Sequence, residues 1–427
     1  MCILSSKNSN YYYWIKNLKE RDLKLLDNEK IKILNNVITK KTTGIYDLEN
    51  HKIFLYKNEL IGLIEKYTIP QQYTYNKEGK LLGDDFFKDI IRNTNKDAIK
   101  EICYIKYGIS IKDTFIRSFP TENEVFYSKQ DTEFDRLQET SCQAFEPLIV
   151  LHESRDEKWY FIKMYNYTGW VKKDDIALCE DKREIFNYVN NDKFIIVTGK
   201  YAKTQPNPSD KRISNLDFSM GTKIFLNEDK MVNEVDNQSV IYNYQIKIPV
   251  KDKRGKLDFK IGLIAKNEDV SVGYLPYSTK NILKQAFKLI GHRYGWGDNY
   301  GGRDCSSFVM YVFKTFGIRL PRNTNEQEKN IGVFYEFNLN MTIKDRLNIF
   351  DRVSPGALVY MPGHVMIYIG KDNKVPYIIH ALNGYGGGKG NVYKFTPVNE
   401  IVVTPVTIRT FEGIPFIEKF TSVVEIR

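Results

Sequence analysis

Apolar residues in the stretch WIKNLKERDLKLLDNEKIKILNNVI recur at Ile15, Leu18, Leu23, Leu26, Ile31, Ile33, Leu34 and Val37, a spacing that is mainly helical. Two shorter stretches, NELIGLIEKY and DDFFKDIIRN, predict further helices, each opened by an Asn or Asp in a capping position. Residues 1–112 therefore read as a helical N-terminal domain. From residue 113 the period shortens to that of strands. FEPLIVLHES, KWYFIKMYN and YTGWVKKDDIAL are short β-branched and aromatic runs parted by turn residues, at the spacing of a small barrel over 113–180. After a junction at CEDKREIFNYVNNDK the same rhythm returns in KFIIVTGKYAKT, TKIFLNE and FKIGLIAKNEDVSVGYLP, which predicts a second barrel over 181–278.

The pattern changes again over 279–427. TKNILKQAFKLIGHRYGWG places Ile282, Ala286, Leu289 and Ile290 on one helix face, with Gly291 as a stop. DCSSFVMYVFKTFG places Phe308, Val309, Val312, Phe313 and Phe316 on the face of a second helix closed by Gly317, with Cys305 in its first turn. HVMIYIG and VPYIIHAL, separated by KDNK, predict a hairpin. With its turn centred on Asp372, His364 falls directly opposite His380 on the same face, with Cβ atoms roughly 5 Å apart. A slip of one residue would put the two rings on opposite faces.

Composition narrows what this architecture serves. At 427 residues the chain is too long for one ordinary domain, and 42% hydrophobic with 27% charged residues describes a core-forming protein. Aromatic residues at 14%, with 29 Tyr, favour β-rich parts. The net charge of +10 is spread along the chain without a dense Lys/Arg block, which argues against nucleic acid and suits an anionic polymer. Five cysteines, Cys2, Cys103, Cys142, Cys179 and Cys305, show no CxxC spacing, which argues against a disulfide framework and against a zinc site. No apolar run approaches the ~18 residues of a membrane span, and MCILSSKNSN is too short for a secretory signal. Cys2 fits either a trimmed lipoprotein signal or an incidental cysteine.

A thiol in the first turn of a helix meets the unpaired N–H groups of the helix end, which favour thiolate. A thiolate nucleophile needs a base, usually histidine, and a third group to orient that base. Cys305, His364 and His380 supply those three types. A packing cysteine with two structural histidines is the competing reading of the same residues, and the pattern alone leaves both open.

The blocks YGWGDNYGGRDCSSFVMYVFKTFGIRLPRNTNEQ, SPGALVYMPGHVMIYIG and YIIHALNG resemble the three motif blocks of NlpC-type cysteine peptidases of bacterial cell walls. Upstream, FIRSFPTENEVF through MYNYTGWV is similar to the first SH3-like domain of a multidomain subgroup, and VGYLPYSTKNILKQAFKLIGHRYGWG resembles its join to the peptidase. The resemblance implies an α+β, multidomain fold with a helical stabilising domain, two small SH3-like β-barrels and a C-terminal papain-like peptidase domain. It implies Cys305 as nucleophile, His364 as general base and acid, and His380 as the orienting residue. Tyr294 matches a motif tyrosine near the oxyanion; Asp304 and Ser306 flank the nucleophile, either touching substrate or capping the helix; Trp296 either walls the pocket or packs. Members of the subgroup that require a free N-terminal L-alanine carry Asp-Ser after PR. Here the pair is Asn323-Thr324, which keeps the hydroxyl but removes the charge.

The implied partners are peptidoglycan stem peptides or muropeptide fragments, cut between γ-D-glutamate and the diamino acid by a monomer, without a metal or other cofactor. The implied location is the cell envelope, periplasmic or secreted, with a lipoprotein form and a cytoplasmic recycling role left open. Two rivals stand beside this reading. A non-catalytic wall-binding protein would have no reason to keep Cys305, His364 and His380 together. An acyltransferase on the same fold would want an apolar groove, whereas NGYGGGKGN beside His380 reads as polar and flexible.

Overall fold

A computed structural model describes residues 9–16, 18, 20–227, 232–329, 331–389 and 392–427; Cys2 lies outside them. The chain divides into two units. One holds Met1–Ile45, Tyr274–Gly295 and Tyr300–Arg427, and the other holds Tyr46–Gly273 and Trp296–Asn299. The helical stretch expected over 1–112 is thus shared between the units at Ile45/Tyr46. Its α-helices are Tyr11–Ile15, Asn28–Lys41, Lys57–Glu65 and Asp84–Asn93. The second starts where Asp27 accepts from the Lys30 amide at 2.9 Å, an ordinary N-cap. The caps of the last two differ from expectation. They are Tyr56 and Gly83, and Asn58 and Asp84 sit inside the first turn.

In the unit of Tyr46–Gly273 an antiparallel sheet runs in the order Gln138–Cys142, Thr114–Arg117, Tyr167–Lys172, Trp159–Met164, Pro147–Glu153, Lys106–Ser110, Ile176–Cys179. Its first strand, Lys106–Ser110, begins ahead of residue 113 and pairs with both Pro147–Glu153 and Ile176–Cys179. Trp170, Phe161, Ile149 and Ile116 are buried in its core. The helix Lys182–Val189 occupies the expected junction and sends Ile185 and Tyr188 into a second core with Phe218, Phe225, Ile246 and Ile264. The strands around that core are short, apart from the hairpin of Asn243–Lys251 and Leu257–Ala265.

The other unit is built on a six-stranded antiparallel sheet in the order Val333–Glu336, Ser422–Glu425, Leu358–Met361, His364–Asp372, Val375–Lys389, Val392–Pro405. The helix Cys305–Lys314 packs against the two strands that begin at His364 and Val375. Phe308, Val312, Phe313 and Phe316 are all fully buried, each contributing ~1.5–3 kcal/mol of apolar burial. Gly317 ends this segment at φ +80°, and a Cβ there would also meet the Tyr274 ring at 2.8 Å. The sequence NGYGGGKGN, read as flexible, is strand as far as Lys389. A Cβ on Gly384 would meet the Phe395 ring at 2.2 Å and one on Gly386 the Thr410 carbonyl at 2.0 Å, so these glycines are packing requirements.

This unit is discontinuous in sequence. Trp14 lies against Tyr377 with ring centroids 5.1 Å apart, and the Tyr13 hydroxyl donates to Asp372 at 2.9 Å. The Leu25 amide donates to the Tyr277 carbonyl at 2.8 Å. Asn35 donates to the Gly317 carbonyl at 2.8 Å and accepts from the Arg319 amide at 2.9 Å. Among the described residues no helix is long and apolar enough to cross a membrane.

Candidate active site

Cys305 is the first residue of its helix, and Asp304 is the N-cap, accepting from the Ser307 amide at 2.9 Å. Gly302 allows the approach to this point. Its missing Cβ would meet the Arg293 carbonyl at 2.8 Å, and Arg303 bridges to Tyr294 across the gap. The helix start is thereby fixed beside the 293–295 segment, which bonds in turn to Asn399 through the Tyr294 amide at 2.8 Å.

The cap carboxylate is buried, and Arg322 answers it. Arg322 Nη1 donates to Asp304 Oδ1 at 3.2 Å and to Ser306 Oγ at 2.7 Å, and Nη2 donates to Oδ2. Burial opposes the charged carboxylate, but the Arg322 guanidinium and the hydrogen bonds from Ser307 and Ser306 outweigh it and hold the carboxyl below its ordinary range. Asp304 and Ser306 are therefore tied into the helix start and an ion pair, which is the capping alternative.

The Cys305 sulfur lies 3.8 Å from the Gly363 carbonyl and 4.0 Å from Thr324 Oγ1. Gly363 immediately precedes His364, so the thiol abuts the start of the histidine strand. His364 Nε2 is 2.7 Å from His380 Nδ1, and His380 Nε2 is 3.0 Å from Thr404 Oγ1. Both imidazoles have the Phe416 ring as a neighbour, at 6.2 and 6.1 Å between centroids. His380 is fully buried, and His364 is half-buried.

The hairpin register corrects the expectation of direct opposition. The turn is Asn373-Lys374, both with positive φ (48° and 67°), and the pairing starts as Asp372↔Val375 and Gly370↔Tyr377. A bulge at Ile369 then shifts it to Tyr368↔Ile378 and Ile367↔Ile379. Extended to the strand end, this register sets His364 opposite Leu382 and diagonal to His380. The rings meet as same-face diagonal neighbours, which lie within reach of long side chains.

The electrostatics also differ from expectation. Burial, and then the Asp304 carboxylate, push the Cys305 thiol up to about 11, against hydrogen bonds from the Val365 amide and Thr324. A helix end carries only about half a positive charge, and here a full carboxylate caps it. Burial lowers His364 to about 4, with Asp304 acting the other way. Burial and then His364 hold His380 well below its ordinary value. Both shifts favour a neutral thiol beside a neutral imidazole.

Tyr294 is buried, and its backbone runs beside the Arg303 segment. Asn323 is an exposed N-cap for the turn Thr324–Gln327, its amide donating to Glu326 Oε2 at 3.3 Å. Trp296 belongs to the other unit, where it packs at a tilt against Phe134 with centroids 5.6 Å apart. Sequence reasoning missed Arg322 and Thr404. A polar residue in the apolar run IVVTPV, in step with a histidine on the neighbouring strand, was the available signal for Thr404.

The NlpC/P60 family model matches residues 291–388, a span that holds Cys305, His364 and His380. The chain carries an NlpC/P60 domain. Ahead of the NlpC/P60 domain, residues 124–172 match an SH3 domain of the SH3b1 type. The chain is 26% identical over 215 residues to the gamma-D-glutamyl-L-lysine dipeptidyl-peptidase of Bacillus cereus, covering 49% of this chain and 56% of that protein. It is 31% identical over 121 residues to "Probable endopeptidase p60" of Listeria welshimeri, covering 25% of this chain and 20% of that one. The chain thus spans about half the length of the first relative and a fifth of the second. A solved NlpC/P60 endopeptidase from Photobacterium damselae subsp. piscicida superposes with a TM-score of 0.77 at 20% identity, over 97% of this chain and 96% of that one. An NlpC/P60 family protein from Bacillus cereus gives 0.51 at 15% identity over 75% and 99%. Both likenesses concern the fold.

Proposed function

We propose that this protein is a cysteine peptidase that hydrolyses peptidoglycan stem peptides at the bond between γ-D-glutamate and the diamino acid. The observation that carries the reading is the 2.7 Å contact of His364 with His380 beside a helix-terminal cysteine, inside the NlpC/P60 match. Since His364 Nε2 is engaged with His380, its Nδ1 is the atom left to take the Cys305 proton. Thiolate attack on the amide carbon gives a tetrahedral oxyanion. The Cys305 backbone N–H at the helix start, with the Tyr294 hydroxyl, would stabilise that charge. The His364 imidazolium returns its proton to the leaving amine, and water then hydrolyses the thioester with His364 again as base.

In this reading the two barrel-sized segments, 113–180 and 181–278, are tandem SH3-like domains, and the protein works in the cell envelope. Thr324, 4.0 Å from the sulfur, stands at the substrate end of the site, where it and Asn323 would meet the stem's N-terminal portion. Because Asn323 carries no charge, the enzyme tolerates stems whose terminal amine is acylated. The decisive experiment is product analysis on defined muropeptides with wild type and Cys305→Ala. Cys305→Ala lowers turnover at least about a thousandfold while the far-UV spectrum is retained. Substantial turnover by the folded variant removes the mechanism.

A further inference from the structure

His380 is fully enclosed and has a partner on each ring nitrogen: His364 Nε2 at 2.7 Å and Thr404 Oγ1 at 3.0 Å. Thr404 is fully buried as well, on the neighbouring strand, where Ile378 pairs with Thr404 and His380 with Val402. The hydroxyl is therefore on the same sheet face as the ring, two pairs further along.

A neutral imidazole has one N–H and one lone pair, so two protonation patterns fit these distances. In the first, His364 Nε2–H donates to His380 Nδ1, and His380 Nε2–H donates to Thr404. This leaves a lone pair on His364 Nδ1, the atom that would take the thiol proton. In the second every bond is reversed, with Thr404 donating to His380 Nε2 and His380 Nδ1–H to His364 Nε2. His364 Nδ1 then already carries a proton and is no base. Only the first pattern supports catalysis, and it needs an acceptor at His380 Nε2. An orphaned buried N–H is costlier and rarer than an unpaired acceptor. Without the hydroxyl, His380 would move its proton to Nδ1 and lock His364 in the wrong tautomer.

We infer that Thr404 is a positioning residue, the fourth member of a Cys305–His364–His380–Thr404 chain, whose oxygen holds His380 in its Nε2–H form. The inference rests on the reading of His364 as base. Its test combines kinetics with ¹⁵N NMR of the histidine rings, the spectra taken on a Cys305→Ala background so that they do not depend on turnover. Thr404→Val keeps the shape and removes the oxygen; Thr404→Ser keeps the oxygen. Thr404→Val should lower kcat ten- to a hundredfold with KM little changed and move the His380 proton from Nε2 to Nδ1. Thr404→Ser should restore both kcat and the tautomer. An unchanged His380 tautomer in Thr404→Val, or equal losses in Val and Ser, overturns the inference. Turnover that survives Cys305→Ala while the tautomers respond as expected defeats the peptidase mechanism instead and leaves the role of Thr404 standing.

Discussion

At the scale of single residues, the site is decided by what surrounds a thiol and an imidazole. Cys305 at about 11 and His364 at about 4 bracket a wide range in which both are neutral. In the proposed mechanism, proton transfer would therefore accompany the reaction and not precede it. Alkylation of resting Cys305 by iodoacetamide should keep rising with pH well beyond the ~8.5 of a free cysteine. A plateau by pH 8 would show a preformed thiolate. The acid limb of kcat/KM should lie near 4, not near the 6.5 of an ordinary histidine. Stability follows the same shifts. His364 binds its proton more weakly folded than unfolded, so its contribution is full above about 6.5 and is lost as pH falls toward about 4. Cys305 is the reverse: its contribution holds below the ordinary thiol value and is lost as pH rises through about 11. The helix start at Cys305 and the shared face of His364 and His380 were legible in the sequence, because the helical spacing and the hairpin pattern place them. The thiol's titration was not, because Asp304 reads as a cap and gives no sign of burial beside Arg322.

At the scale of elements, the alignment of the two histidines depends on a third residue, the one at which the register shifts. Counting from the Asn373-Lys374 turn alone, His364 and His380 would point to opposite faces of the sheet; the extra residue at Ile369 restores their parity. The sequence reading reached the right face with a misplaced turn and no bulge, two errors whose effects on parity cancel. In HVMIYIG only Gly370, at φ +129°, hints at where the bulge falls. Deleting Ile369 should cost more than a hundredfold in kcat/KM, with the His364 ring turned away from His380 in a crystal structure. Near-normal activity of the deletion would mean the strand recovers its register by other means. Further along the strand Val375–Lys389, where it pairs with Val392–Pro405, Gly386→Ala drives a methyl into the Thr410 carbonyl. It should lower unfolding stability by about 1–3 kcal/mol in urea titration, as overpacking does.

At the scale of the whole molecule, local patterns told where helices and strands occur but not which distant segments share a core. No periodicity near Trp14 says that it will meet Tyr377, so the first 112 residues read as one domain when residues up to Ile45 belong with the C-terminal sheet. Trp14 is buried, and Trp14→Ala should weaken that unit by about 3–5 kcal/mol. Calorimetry should show the loss in the transition of the NlpC/P60 unit, with the transition of the other unit unmoved. A shift below about 1 kcal/mol would make the N-terminal segment an appendage. The Tyr13–Asp372 bond, which joins residues 359 apart in the chain, also sets a timetable for synthesis. At ribosomal speeds of ~5–20 residues per second, Tyr13 is made about 20–70 s before its acceptor exists. Through most of that interval, until Thr279–Phe287 and the later strands are made, Trp14 and its neighbours lack the surface on which they finally dock, and an exposed tryptophan of that kind is what a chaperone would cover.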